Sequence, residues 1–328
     1  MLSLNGFEKE LKKSKEKRIY PRDINFSFED NGKTLRAELT GKLDKKDFRR
    51  FDPWTLACLS EMHEKCGSKV SKIDFIVNKG KTTDKQFKLN FEALRRRLSF
   101  LSLNNNIQLC LKVGEYNVDS CKEVSLYDKK SLFHRPDNEL IHSKISKRSD
   151  DNEPNLLEKA FQAFLYGKGL KTRTNDRLAI LGEDFYKMKG KEVGILREFP
   201  TGVFEDKISD STRILPTEYV DIVTLNKWGN LSVIELKLDN PELEVISQIL
   251  DYGIYFACYR KQIAAMPDVV NVFNSGNLKR LQNSGIFCYV VNNRFHPRFN
   301  DILKFYSIKN KNYGFTLKKV ILGETTEI

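Results

Sequence analysis

Between Tyr219 and Leu238 the chain reads YVDIVTLNKWGNLSVIELKL, two apolar runs separated by a turn signal. Asn226-Lys227-Trp228-Gly229-Asn230 supplies the asparagines and glycine that tight turns favour. The spacing predicts a hairpin of strands 219–225 and 231–238 centred near Trp228. Asp221 and Glu235 are equally far from that centre, so the hairpin sets them opposite each other. Alternation puts Glu235 and Lys237 on one face beside Asp221, and leaves Ile234, Leu236 and Leu238 as a wholly apolar opposite face.

Two acids and a lysine inside a hydrophobic element are costly. Buried charges cost several kcal/mol each unless they are paired or bind metal. Adjacent carboxylates repel, and a divalent cation relieves that repulsion while using both as hard oxygen ligands. The ordinary alternative is a Glu–Lys pair on a solvated strand face, and the apolar neighbours weigh against it.

Asp221 followed by Glu235-Leu236-Lys237 resembles the core of the PD-(D/E)xK nuclease superfamily. An acid-x-lysine triplet alone is weak, since Glu10/Lys12, Asp44/Lys46, Asp128/Lys130 and Glu205/Lys207 also match it in polar surroundings. The apolar strand, the upstream acid and a following helix set Glu235/Lys237 apart. That helix is expected from Glu242 to about Ala257, with Asn240 as N-cap and Pro241 as its first residue. It carries Gln248 and Tyr252, four apart on one face, similar to the Q-x-x-x-Y motif of the RecB-like branch. The helix around Leu157–Tyr166 and the IELK strand also resemble Shedu-type defence nucleases. Pro216, five residues before Asp221, departs from the family's usual proline beside the first acid.

The resemblance implies an α/β fold: a restriction-endonuclease-like mixed sheet flanked by helices in a C-terminal domain, preceded by an α+β domain. It implies Mg²⁺ or Mn²⁺ held by Asp221, Glu235 and the Leu236 carbonyl, with Lys237 acting on water and phosphoryl oxygens. Gln248 and Tyr252 would position the scissile strand. Glu158, on the helix before the core sheet, is the matching candidate for a further acidic ligand, with Glu153 behind it. An exposed helix glutamate is the ordinary reading of Glu158.

The chain has 328 residues, enough for two domains, and a formal net charge of +12. That basic balance favours polyanion partners, since lysine and arginine displace counterions from phosphates, although a lysine-rich proteome also produces it. Six cysteines show no C-x-x-C pair or zinc spacing. Four scattered histidines offer little support for histidine chemistry, and a His63/Cys66 metal pair is less natural than a helix surface. No apolar stretch approaches a membrane span and no secretory core opens the chain, so a reduced, cytoplasmic setting without membrane partners is expected. No P-loop is present, so any ATP-driven motion would come from a partner.

The polar run Ser143–Glu153 separates residues 1–145 from 146–328. Before it, strands are expected around Leu35–Leu39, Lys69–Asn78, Ile107–Val113 and Val124–Phe133. A helix from Asp52-Pro53 to Lys65 and another over Asp84–Leu103 accompany them. Arg95-Arg96-Arg97 on the latter reads equally as a phosphate-gripping or a solvated face. After it, core strands are expected over Val193–Phe199, Gly285–Asn292 and Phe315–Leu322. The basic stretch with Arg294, Arg298, Lys304 and Lys309 is a candidate flank of a nucleic-acid groove.

Function is expected to be metal-dependent hydrolysis of DNA ahead of RNA, as a homo-oligomeric endonuclease of phage defence or restriction. A repair or recombination nuclease, or a non-cleaving nucleic-acid-binding protein on the same fold, are the alternatives.

Overall fold

A computed structural model describes residues 2–17, 19–40, 45–67, 69–78, 83–102, 107–114, 122–125, 139–142, 156–167, 175–185, 194–209, 212–215, 218–306 and 315–322. The chain forms two compact units, Met1–Asp137 with Pro297–Ile308, and Asn138–His296 with Lys309–Ile328. The polar run chosen as the boundary, 143–153, lies outside the described residues, as do Glu153, Pro216 and Lys309. Composition does not foretell the return of 297–308 to the first unit. Its basic residues find acids there: Arg298 pairs with Glu64 at 2.6 Å, and Lys304 with Asp301 at 3.0 Å.

The first unit runs α1 (Leu4–Glu16), β1 (Ile24–Glu29), β2 (Thr34–Leu39), α2 (Lys45–Cys66), β3 (Lys72–Asn78), α3 (Asp84–Ser102), β4 (Gln108–Gly114) and β5 (Lys122–Ser125). Its sheet has the order β1-β2-β3-β4-β5, with β2, β3 and β4 parallel and both edge strands antiparallel. Leu35, Ala37 and Leu39 point inward as their alternation requires, all fully buried. Helix α2 begins well before Asp52 and carries Pro53 inside it. Asp52 caps nothing, because its carboxylate is buried against the Arg97 guanidinium, Nη2 to Oδ1 at 2.8 Å. Arg95 and Arg96 are paired with Glu92 on their own helix. The arginine triplet is therefore engaged within the unit and does not form a phosphate-gripping face.

The second unit begins with β6 (Glu139–Ile141), α4 (Leu156–Tyr166), β7 (Leu196–Pro200), β8 (Val203–Glu205) and β9 (Arg213–Leu215). It continues with β10 (Tyr219–Leu225), β11 (Leu231–Leu236), α5 (Glu244–Ile263), α6 (Pro267–Val270), α7 (Ser275–Asn283), β12 (Ile286–Asn292) and β13 (Phe315–Ile321). The main sheet has the order β13-β12-β11-β10-β7. Strands β11, β12 and β13 are parallel, and β10 is antiparallel to both its neighbours. Strands β6, β8 and β9 form a small separate sheet.

One face of the main sheet, with Ile222, Ile234, Leu236, Tyr289 and Val291, packs against Phe161 and Leu165 of α4 and against Leu178, Leu181 and Phe185. Helix α5 covers the other face. A side chain at Gly253 would come within 2.9 Å of the Phe315 ring and 3.1 Å of Cys288 Sγ, so the helix approaches this closely only with glycine there. The unit is thus an α/β layer structure, a mixed sheet with helices on both sides. Helix α5 starts two residues later than expected. Asn240 Oδ1 instead accepts from Glu242 N (3.2 Å), a local turn that leaves Pro241 outside the helix. It also runs past Ala257, carried by Tyr259 and Ile263, both buried. No helix among the described residues is long and apolar enough to cross a membrane.

Candidate active site

The site is built on the β10–β11 hairpin. Asn226 Oδ1 accepts from Trp228 N (3.1 Å) and Asn230 N (3.0 Å), and Gly229 takes φ 81°, a left-handed conformation that glycine adopts without strain. These bonds fix the register Leu225–Leu231, Thr224–Ser232, Val223–Val233 and Ile222–Ile234. The next pair outward in that register is Asp221 with Glu235, as the symmetric count predicts. Beyond Leu236 the strand stays tied to β12, with Lys237 N donating to Val291 O at 2.9 Å.

Asp221 Oδ2 accepts from Leu236 N at 2.8 Å, which stitches the acid of β10 to the backbone of β11. Glu235 is 1% exposed, and its Oε1 accepts from Lys237 Nζ at 2.6 Å. Burial works against the Lys237 charge, but the carboxylates of Glu235, Asp221 and Glu158, with the hydrogen bond from Glu235, outweigh it and raise the Lys237 pKa above its usual range. One ammonium thus stands in the field of three carboxylates.

Glu158 reaches this field from α4. Phe161 and Leu165 dock that helix on the sheet, and Gln162, one turn after Glu158, faces the same way. Gln162 Nε2 donates to Asp221 Oδ1 (3.0 Å) and to Asp221 O (3.1 Å). Its own Oε1 accepts from Arg197 Nε at 2.8 Å. The sequence reading missed Gln162 and Arg197, and the only signal for Gln162 was its spacing of four from Glu158.

Gln248 and Tyr252 meet on α5 as their spacing requires, Nε2 donating to the phenol oxygen at 2.8 Å. The Tyr252 hydroxyl in turn donates to Tyr219 O at 3.2 Å, and the ring is 1% exposed. This pair fastens α5 to the start of β10, two residues before Asp221. Tyr252 is a buttress of the strand, not an open substrate contact.

The donors suit a hard divalent ion. Mg²⁺ takes one or two carboxylates and completes its shell with waters and substrate oxygens, and Asp221, Glu235 and the Leu236 carbonyl are of that kind. Among the described residues no three His, Cys, Asp or Glu side chains gather closely enough to hold a metal by themselves. A site of two carboxylates and a carbonyl does not require such a cluster. His63 and Cys66 lie in the other unit; burial lowers the pKa of the former and raises that of the latter.

Compared with protein-family models, with curated proteins and with solved structures, the chain matches none.

Proposed function

We propose that the second unit is a divalent-metal-dependent nuclease that hydrolyses phosphodiester bonds, with DNA its substrate ahead of RNA. The single observation that carries this reading is the hairpin geometry that sets Asp221 across from Glu235, with Asp221 Oδ2 bound to Leu236 N at 2.8 Å and Lys237 Nζ 2.6 Å from Glu235 Oε1. The mixed sheet with helices on both faces supports a restriction-endonuclease-like, PD-(D/E)xK arrangement. An endonuclease of restriction or phage defence is the cellular role we assign to it, acting as a homo-oligomer when both strands are cut.

Asp221 and Glu235, with the Leu236 carbonyl, would hold Mg²⁺ or Mn²⁺, and Glu158 is placed to assist. A divalent ion, when bound, supplies Lewis-acid polarisation of the phosphoryl group and makes water more acidic. Lys237 keeps its proton under the pull of three carboxylates. It therefore acts as a charged donor to water and to the negative charge that develops on the phosphoryl oxygens. Asp221 is held as an oriented carboxylate by the Leu236 and Gln162 N–H groups. The apolar faces around it limit water access and strengthen every charge interaction in the site.

A second reading has its own observation. Lys237 already neutralises Glu235 at 2.6 Å, as a purely structural ion pair would. On that reading the chain binds nucleic acid without cutting it.

Incubating the full chain with plasmid, linear and single-stranded DNA and with RNA, in Mg²⁺, Mn²⁺ or EDTA, separates the two. Cleavage that needs a divalent ion and disappears in Asp221→Ala supports the nuclease. Retarded but intact nucleic acid in every metal condition supports the binding protein.

A further inference from the structure

The acid on β10 is held by a neutral side chain, Gln162, that is neither a metal ligand nor a substrate contact in the reading above. Gln162 is 4% exposed. An amide presents two nearly isosteric ends of opposite character, a donor NH₂ and an acceptor oxygen. Which end faces Asp221 decides whether the carboxylate is bound or repelled. Here the choice is made by Arg197, whose Nε–H donates to Gln162 Oε1 at 2.8 Å and so turns Nε2 toward Asp221. That single nitrogen spans the backbone oxygen and Oδ1 of Asp221 at 3.1 and 3.0 Å, while Leu236 N holds Oδ2 at 2.8 Å. Both carboxylate oxygens are therefore anchored by N–H donors, Oδ1 by Gln162 and Oδ2 by Leu236.

The backbone beside this relay is distorted. Strand β7 pairs with β10 through Tyr219–Pro200 and Val220–Phe199 on one side of Asp221, and through Ile222–Arg197 and Val223–Leu196 on the other. The residue facing Asp221 in that register is Glu198, and it has φ 51°. A non-glycine residue in the left-handed region inside a strand carries strain of about 1–3 kcal/mol, and such residues cluster at functional sites. Consecutive strand residues normally point to opposite faces, yet Arg197 Nη2 and Glu198 Oε1 lie 3.4 Å apart. The guanidinium is thus oriented at both ends, by Glu198 and by Gln162.

We propose that Gln162 is a positioning residue for the metal site, polarised by Arg197 so that it presets the Asp221 carboxylate for a divalent ion. The inference rests on the reading of Asp221 as a metal ligand. Groups that orient a ligand from outside the coordination shell typically control affinity by 10–100-fold. Gln162 touches the ligand and neither substrate nor ion, so its removal weakens ion binding and leaves nucleic-acid affinity in EDTA unchanged.

Calorimetric titration of the full chain with Mn²⁺, without nucleic acid, tests this. Gln162→Met keeps the volume and removes the donor, and is expected to bind Mn²⁺ roughly 10–100-fold more weakly than the unsubstituted protein. Gln162→Glu keeps the Arg197 contact but turns an acceptor toward Asp221, and is expected to lose at least as much. Arg197→Lys preserves a donor for Oε1 and is expected to retain most of the affinity. Thermal melts of each variant, read by circular dichroism, accompany the titrations, and a purely structural role would lower the melt without this order of affinities. Should Asp221→Ala abolish Mn²⁺ binding while folded Gln162→Met or Gln162→Glu binds as tightly as the parent, the positioning role is wrong and the metal-site reading stands. Should the parent bind no Mn²⁺, or Asp221→Ala bind it unchanged, the metal-site reading falls and the positioning role falls with it.

Discussion

Each unit buries an ion pair, and the two pairs differ in a way that separates architecture from chemistry. In the first unit Asp52 and Arg97 are both 0% exposed. Arg97 Nε and Nη2 reach the two carboxylate oxygens at 3.0 and 2.8 Å, Nη2 also donates to Phe48 O at 2.7 Å, and the guanidinium lies 4.2 Å from the Phe48 ring centroid. The two charges meet in fork geometry, buried from water. In the second unit the Glu235 side chain is 2% exposed but that of Lys237 is 22% exposed, and Asp221 and Glu158 add to the pull of Glu235 on the ammonium charge. A closed, balanced pair holds two helices together. An open pair with surplus acid can accept another cation and a phosphate.

Four outcomes would break or sharpen that contrast. The largest is expected at the open pair: Asp221→Ala or Lys237→Ala should lower metal-dependent cleavage by about 10³-fold or more, read on gels, while far-ultraviolet circular dichroism is unchanged. Cleavage at the parental rate in either variant would remove the site from the chemistry. At the closed pair, Arg97→Ala should cost about 3–5 kcal/mol in urea unfolding, because it strands a buried carboxylate. Replacing both partners, Asp52→Leu with Arg97→Met, should recover most of that loss, since well-packed apolar groups often match a buried pair. If the double variant is as unstable as the single one, the pair does more than close the core.

Mn²⁺ at ten times its dissociation constant should stabilise the second unit by about 1.4 kcal/mol and leave the first unmoved, read by hydrogen exchange at the α5 amides against those of α2. The smallest effect belongs to His63. Burial lowers its pKa below the ordinary 6.5, so the unfolded chain takes up the proton first as pH falls. Stability contributed by neutral His63 is present above that value and is lost as pH drops toward the folded pKa. His63→Gln should flatten this part of the unfolding profile by at most a few tenths of a kcal/mol, because solvent screens a largely exposed group.

What could be read from the sequence was what local periodicity determines. The turn residues Asn226 and Gly229 fixed a register, and counting from it paired Asp221 with Glu235. The Leu157–Leu165 stripe and the apolar runs after Gly285 and Phe315 announced α4, β12 and β13. What could not be read depended on distant partners. Arg97 reads as part of a surface face because its partner Asp52 stands 45 residues earlier, and Asp52-Pro53 reads as a helix start for the same reason. Gln162 offers only its spacing of four from Glu158, since an uncharged residue among apolar ones resembles a tolerated substitution until Arg197 and Asp221 are placed on either side of it. Tyr252 matched a motif, yet its hydroxyl is engaged with the Tyr219 carbonyl, a bond no linear pattern reveals.

The excursion of Pro297–Ile308 into the first unit has a consequence for how the protein is made. Strand β13 emerges from the ribosome only after that excursion, so the five-stranded sheet of the second unit stays one strand short until 297–308 has been made. The first unit likewise waits for its last helix, Phe299–Leu303, long after its sheet has been synthesised. Cutting the gene between 137 and 138 therefore yields two incomplete pieces, because each unit is completed by residues that follow His296.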